Sequence, residues 1–335
     1  MAGRAPCSAS GSSDEDSLRH LLELSHDELS VIVDGLADPL QPVVAVALST
    51  TCKGLRTPLG AALELLQQRH KAAVALCRKL RTPLGPMSCA LLRDAKWVLS
   101  DGAALTADDM ATLGMILTTT GLPRLEDLNL SRNKFGDEGM QALCVGLGRA
   151  GAAPSLRRLT LYFVNFGPAG AEALATAFCR GAMPKLDHLD LNYNPIVNQG
   201  LDALAMPLRM LPALKTMMLV QCDIGDDGVA SLVVNLGNND FKELATLWLD
   251  CNNISYAGLN SVHAAVDHGM MPALKDTSGT NRWTCAPPAG GGIPPAIFVA
   301  MKRQALMSYY LGEAAATQSA ATTSAREEAA AAAAL

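Results

Sequence analysis

Leu125–Leu147 reads LEDLNLSRNKFGDEGMQALCVGL, and the spacing of its apolar residues decides the fold. Leu125, Leu128 and Leu130 form Leu-x-x-Leu-x-Leu, followed by Asn133, Phe135 and Gly139. Residues two apart on a strand point to one side, so Leu128 and Leu130 share a buried face. Met140, Leu143 and Leu147 then recur at helical spacing. Working outward, the pattern restarts at Leu156, Leu186, Leu214 and Leu244, at intervals of 31, 30, 28 and 30 residues. A weaker copy sits one period earlier, at Ala95, Val98 and Ser100. Repetition at this period describes a stacked solenoid, not a closed globule with one central pocket.

The later copies hold the register. They read Leu156, Leu159, Leu161, Val164, Phe166, Gly170; Leu186, Leu189, Leu191, Asn194, Ile196, Gly200; Leu214, Met217, Leu219, Cys222, Ile224, Gly228; and Leu244, Leu247, Leu249, Asn252, Ile254, Gly258. Over residues 95–275 this succession resembles the leucine-rich repeat in its long, ribonuclease-inhibitor-like subtype. The resemblance implies an α/β solenoid of five clear repeats plus one degenerate repeat, with a parallel concave sheet and convex helices. A strand followed by a crossover helix gives the same parallel pairing on physical grounds. Asn133, Asn194 and Asn252 fall where the chain leaves the strand, and a side-chain amide there satisfies exposed backbone groups. Cys222 suits that slot in this family, whereas Val164 departs from it and predicts a missing ladder bond. The glycines at 139, 170, 200, 228 and 258 are expected just before the repeat helices.

Side chains alternating with the buried leucines face the concave surface. Repeat by repeat these are Trp97, Leu99 and Asp101; Asp127, Asn129 and Ser131; Arg158, Thr160 and Tyr162; His188, Asp190 and Asn192; Thr216, Met218 and Val220; and Thr246, Trp248 and Asp250. Six strands at ~4.8 Å make a face about 25–30 Å wide, enough for the ~800 Å² per partner of a standard interface. Tyr162, His188, Asp190, Met218, Val220, Trp248 and Asp250 are the expected contacts for a protein partner, with Trp248 its aromatic anchor. The alternative is that the C-terminal segment, with Trp283, folds back over Trp248.

Before the repeats, residues 18–58 carry short apolar helices. Ser25 and Glu28 form a capping box, with Leu24 and Leu29 as its staple. Leu29, Ile32, Val33 and Leu36 then share a face that ends at Asp38-Pro39. The order Asp27-Glu28-Leu29, Ile32, Leu36, Asp38-Pro39, Leu48-Ser49 and Thr51-Cys52-Lys53-x-Leu55-Arg56 resembles an F-box. It departs from that pattern between Pro39 and Cys52, where the chain is about three residues longer than usual, which puts the middle helix in doubt. The resemblance implies binding to the Skp-type adaptor of a cullin ubiquitin ligase through Leu24, Leu29, Ile32, Leu36, Pro39, Cys52 and Lys53. The other reading of this region is an all-α cap over the first repeat. A basic helical connector follows at 59–94, where Leu59, Leu63, Leu66, Val74 and Cys77 share one face and His70 is a satisfied boundary histidine. The string Leu-Arg-Thr-Pro-Leu-Gly occurs at 55–60 and 80–85, and both copies are expected to start helices. Residues 1–17 form an acidic tail of low complexity. Residues 276–335 comprise a Pro/Gly linker, a helix fit to cap the solenoid, and an Ala-rich tail.

Composition narrows the function classes. The chain has 335 residues, is 49% hydrophobic but only 4% aromatic, and carries a net charge of −5, which argues against nonspecific nucleic-acid binding. Nine cysteines without a Cys-x-x-Cys pair suit a reducing compartment, cytoplasm or nucleus. No apolar run reaches the ~20 residues of a membrane span. Gly146-Leu-Gly148-Arg-Ala-Gly151 matches the dinucleotide-binding letters, but a helix precedes it and a strand follows, the inverse of the required context. No cofactor, metal or catalytic site is expected. Three functions remain: a substrate-recognition subunit of a Skp–cullin-type ubiquitin ligase, a non-enzymatic ribonuclease-inhibitor-like scaffold, and a Ran-directed GTPase-activating protein, for which no catalytic arginine motif is found.

Overall fold

The computed structural model describes residues 38–43, 46–47, 60–82, 85–234, 236–237 and 240–274. The chain divides into two compact units, 1–72 and 73–335. In the first, a turn at Asp38–Gln41 is closed by the Leu40 N–H on Asp38 Oδ1 (2.8 Å). The Pro39 carbonyl lies 2.7 Å from His70 Nδ1, so that histidine is satisfied. Helix α1, Gly60–Lys79, buries Leu66 in this unit.

In the second unit Arg81–Thr82 (β1) and Gly85–Pro86 (β2) form a short antiparallel hairpin. The described ends of the second Leu-Arg-Thr-Pro-Leu-Gly string therefore pair as strands instead of starting a helix, with Thr82 Oγ1 donating to the Gly85 carbonyl. Helix α2, Cys89–Asp94, begins behind it, with Ser88 Oγ accepting the Leu91 N–H as a cap. The solenoid follows as six strand–helix units. Its strands are β3 Trp97–Leu99, β4 Asp127–Asn129, β5 Arg158–Thr160, β6 His188–Asp190, β7 Thr216–Met218 and β8 Thr246–Trp248. Its helices are α3 Ala107–Thr119, α4 Gly136–Leu147, α5 Pro168–Cys179, α6 Val197–Arg209, α7 Asp226–Val233 and α8 Tyr256–Asp267. The strands make one parallel sheet in chain order, with Val98, Leu128, Leu159, Leu189, Met217 and Leu247 in register and 0% exposed. This is the arrangement the leucine spacing predicts, and the degenerate first copy supplies β3.

Two polar columns hold neighbouring repeats together, and both alter the reading of the sequence. In the first, Asn194 Oδ1 accepts the N–H groups of Val164 (3.0 Å) and Asn165 (2.9 Å), while its Nδ2 reaches the carbonyls of Leu161, Leu191 and Asn192. Asn252 does the same for Cys222 and Ile224, and Asn133 for Leu105 and the Ser100 carbonyl. Each of these amides bonds to the repeat before it, so Val164, which has none, makes no such bond to its own predecessor, while its N–H is taken by Asn194 of the repeat after it. Buried amides of this kind are worth most when every donor and acceptor is used.

The second column starts one residue into each helix or at the equivalent site. Asp137 Oδ1 accepts the Gly167 and Gly170 N–H groups, which are the cap and the first turn of α5. Asn198 Oδ1 accepts from Gly225, and Asp226 Oδ1 from Ser255, the caps of α7 and α8. Each of these helices is thus capped by the preceding repeat, with an oxygen where the helix N-terminus favours one. The recurring glycines lie inside the first helical turn instead of before it. A Cβ at Gly258 would come within 2.3 Å of Asp226 Oδ1, and one at Gly170 within 2.8 Å of Asp137 Oδ1. Gly146 has a related role inside α4: a Cβ there would meet the Gly114 carbonyl at 2.4 Å. It belongs to a close helix–helix contact, consistent with rejection of the dinucleotide motif.

A candidate partner-binding face

The open face of the sheet is built from two strand rows in register. One row is Trp97, Asp127, Arg158, His188, Thr216 and Thr246, and the next is Leu99, Asn129, Thr160, Asp190, Met218 and Trp248. After each strand the chain turns through a left-handed residue, at Gly102, Arg132, Phe163, Tyr193, Gln221 and Cys251. A non-glycine residue there costs about 1 kcal/mol. The cost is offset by a column of backbone bonds: Arg132 donates to the Tyr162 carbonyl, Phe163 to Asn192, Tyr193 to Val220, and Gln221 to Asp250.

This turn corrects the list of expected partner contacts. His188 and Trp248 are half-buried, while Met218 (1% exposed), Val220 (0%), Asp190 (3%), Tyr162 and Asp250 are buried. Tyr162, Val220 and Asp250 come after the last paired strand residue, so period-2 alternation no longer sets their direction. Asp190 turns back to accept the Asn192 N–H at 3.0 Å, and Met218 is flanked in register by Asp190 and Trp248. At the turn edge the aromatic side chains gather. Tyr162 and Tyr193 meet edge to face at 5.1 Å, and Phe163 is 44% exposed with Lys134 Nζ 5.9 Å from its ring. Arg132 beside them is held bidentately by Asp101. Phe163 and Tyr193 are contact candidates that the alternation rule passes over. Their signal was the aromatic pair beside the Asn slot.

The other edge of the face is charged. Arg158 Nη1 lies 3.9 Å from Asp127 Oδ2, and Arg157 pairs with Asp187 at 2.6 Å. Burial pushes Asp127 up to about 6, against the pull of Arg158, and its Oδ1 has no hydrogen-bond partner. His188 is brought down to about 4 by burial and by the Arg158 charge, so its imidazole is neutral at neutral pH. No group of three His, Cys, Asp or Glu side chains converges on a metal-sized site among the described residues. Among them, too, no helix is long and apolar enough to cross a membrane.

Of the residues expected to meet an adaptor, Leu24, Leu29, Ile32, Leu36, Cys52 and Lys53 lie outside the described residues. Pro39 is described and buried, so it does not offer the exposed contact expected of it.

Comparison with known proteins agrees with this geometry. The Leucine Rich repeat family model matches residues 122–144 and 182–205, which cover β4 and β6 and the helices that follow them. The chain is 31% identical over 179 residues to "NACHT, LRR and PYD domains-containing protein 5" of Homo sapiens, covering 52% of this chain and 14% of that protein. It is 33% identical over 152 residues to "Tonsoku-like protein" of Bos taurus, covering 44% of this chain and 10% of that one. The chain therefore spans about a seventh or less of the length of these relatives. Fold and comparisons agree on a solenoid of strand–helix units similar to leucine-rich repeats. Its repeats are of the two-column kind described above.

Proposed function

We propose that this chain is a non-catalytic repeat module that holds a protein partner across the open sheet face and the adjoining turn edge. The observation that carries the reading is the exposed Phe163, with the Tyr162 ring 6.2 Å away and Lys134 beside it, at the turn edge of the face that also carries half-buried His188 and Trp248. Aromatic groups beside cations are common anchors in protein interfaces. The partner's affinity, measured by calorimetry with purified protein, is expected to fall about thirtyfold or more in Trp248→Ala and in Phe163→Asp, a loss of ~2 kcal/mol. Unchanged affinity in both variants overturns the assignment of this face.

A second reading is favoured by the order of residues from Leu24 to Arg56, which resembles that of an F-box. In it the N-terminal segment docks a Skp-type adaptor and the repeats present a substrate to a cullin ubiquitin ligase. Pro39 supports the local fold there, so the test uses Ile32→Glu and Lys53→Glu in the full chain. Binding to purified Skp is expected to be lost in both while the repeats still melt cooperatively. Failure of the parent protein to bind Skp leaves the scaffold reading in place.

A further inference from the structure

Cys77 lies in the last turn of α1 and Cys89 opens α2, on either side of the β1–β2 hairpin. Both are free thiols and their sulfurs are 3.7 Å apart. Cys77 is 2% exposed, whereas Cys89 is half-exposed. A disulfide holds its sulfurs at about 2.0 Å, so the two need to close by less than ~2 Å to bond. The other described cysteines are different in kind. Cys144 and Cys222 are buried in separate repeats, Cys179 is exposed on α5, and Cys251 sits at a turn.

We propose that Cys77 and Cys89 form a dithiol modification site, which hydroperoxides oxidise to a disulfide stapling the end of α1 to the start of α2. The two sulfurs have separate roles. Burial, with the adjacent Cys89 sulfur adding to it, pushes the Cys77 thiol up to about 12, so Cys77 does not meet the oxidant as a thiolate. Cys89 is the accessible one. Its thiol gives up a proton and the thiolate attacks the peroxide oxygen; the O–O bond breaks, the leaving hydroxide or alkoxide takes up that proton as water or alcohol, and Cys89 becomes a sulfenic acid. The Cys77 sulfur then attacks the Cys89 sulfur, the S–O bond breaks, and the Cys77 proton leaves with the hydroxyl as a second water. Both thiols are oxidised by one peroxide, which is fully reduced. The staple would close the loop that carries the hairpin, whose Arg81 N–H donates to Ser100 Oγ at the end of β3. It would thus fasten the segment lying beside the first strand of the solenoid.

The test treats the full-length protein with one equivalent of hydrogen peroxide, blocks remaining thiols with N-ethylmaleimide, and maps tryptic peptides by mass. The expected product joins peptide 72–78 to peptide 82–93, about 2 Da lighter than their sum, and dithiothreitol separates them. The oxidised protein should melt about 5 °C above the reduced one. Cys89→Ser should abolish the joined peptide while melting like the reduced parent, which keeps the test intact if the buried Cys77→Ser fails to fold. The proposal is overturned if both cysteines still carry maleimide after peroxide. It is equally overturned if Cys89 advances to sulfinic acid with Cys77 still alkylated, or if either pairs with another cysteine.

Discussion

Two kinds of repeat alternate along this solenoid, and they differ at one position. The repeats of Asn133, Asn194 and Asn252 carry an amide in the turn after the strand. Those of Ala103, Val164 and Cys222 do not. Judged singly, the second kind looks defective. In the structure each is completed by the asparagine of the next repeat, whose Oδ1 accepts backbone N–H groups across the interface. The second kind puts apolar or thiol groups in the freed space, as with Val164 at 0% exposure and Cys222 Sγ 3.4 Å from the Leu191 carbonyl. The N–H groups of such a turn are thus served by the following repeat, and what an apolar slot gives up is the bond to the repeat before it.

The largest effect expected from breaking this contrast is in Asn194→Ala. It strips partners from Val164, Asn165, Leu161, Leu191 and Asn192 together. A loss of roughly 3–5 kcal/mol is expected in urea denaturation. A loss under 1 kcal/mol would mean that the two kinds of repeat are not interdependent.

On the open face the alternation reappears as charge, since Asp127 and His188 belong to asparagine repeats and flank Arg158 of the Val164 repeat. Asp127 has a folded pKa of about 6, above the ordinary 3.8, so its ionisation opposes folding and stability falls as pH rises through that window. His188, depressed to about 4 from 6.5, has the opposite sign: its stability contribution is present above 6.5 and is lost as pH falls towards 4. The two contributions offset each other between pH 4 and 6. Relative to the parent, Asp127→Asn should gain stability as pH rises from 4 to 6, by about 3 kcal/mol at most. His188→Gln should lose its relative advantage over the same range. Parallel pH profiles for all three proteins would remove the charge pattern from the account.

A sharper and smaller test is Val164→Asn. Val164 makes no bond to the preceding repeat, and an amide placed there as Asn194 is placed in its own slot would face the Leu130 carbonyl, so a gain of about 1–2 kcal/mol is expected in urea denaturation. Smallest is Asp137→Ala, which removes the borrowed cap of α5 and should cost about 1 kcal/mol.

Much of the fold was legible because Leu128, Leu159, Leu189 and Leu247 state strand position and burial at once. What escaped lay between repeats. Nothing near Val164 points to Asn194, some thirty residues on, and only the stacking brings them together. The capping by Asp137, Asn198 and Asp226 was hidden for the same reason, although the glycines at 170, 228 and 258 marked the space those oxygens occupy. On the open face, alternation gave the row of each paired residue but not its exposure, since Asp190 and Met218 are buried, and it failed altogether after the last pair. The left-handed turns sit on Arg132, Phe163, Tyr193, Gln221 and Cys251, and none of those residue types announces such a conformation.

The borrowed asparagine also bears on how such a chain can lengthen over generations. Copying one repeat of the Val164 kind would set two amide-less turns side by side, and the N–H groups of the first would find no Oδ1 acceptor. Copying a neighbouring pair, about sixty residues, preserves every bond. A copied repeat of the Val164 kind therefore keeps its bonds only together with the asparagine repeat that follows it, whereas an asparagine repeat can be copied alone.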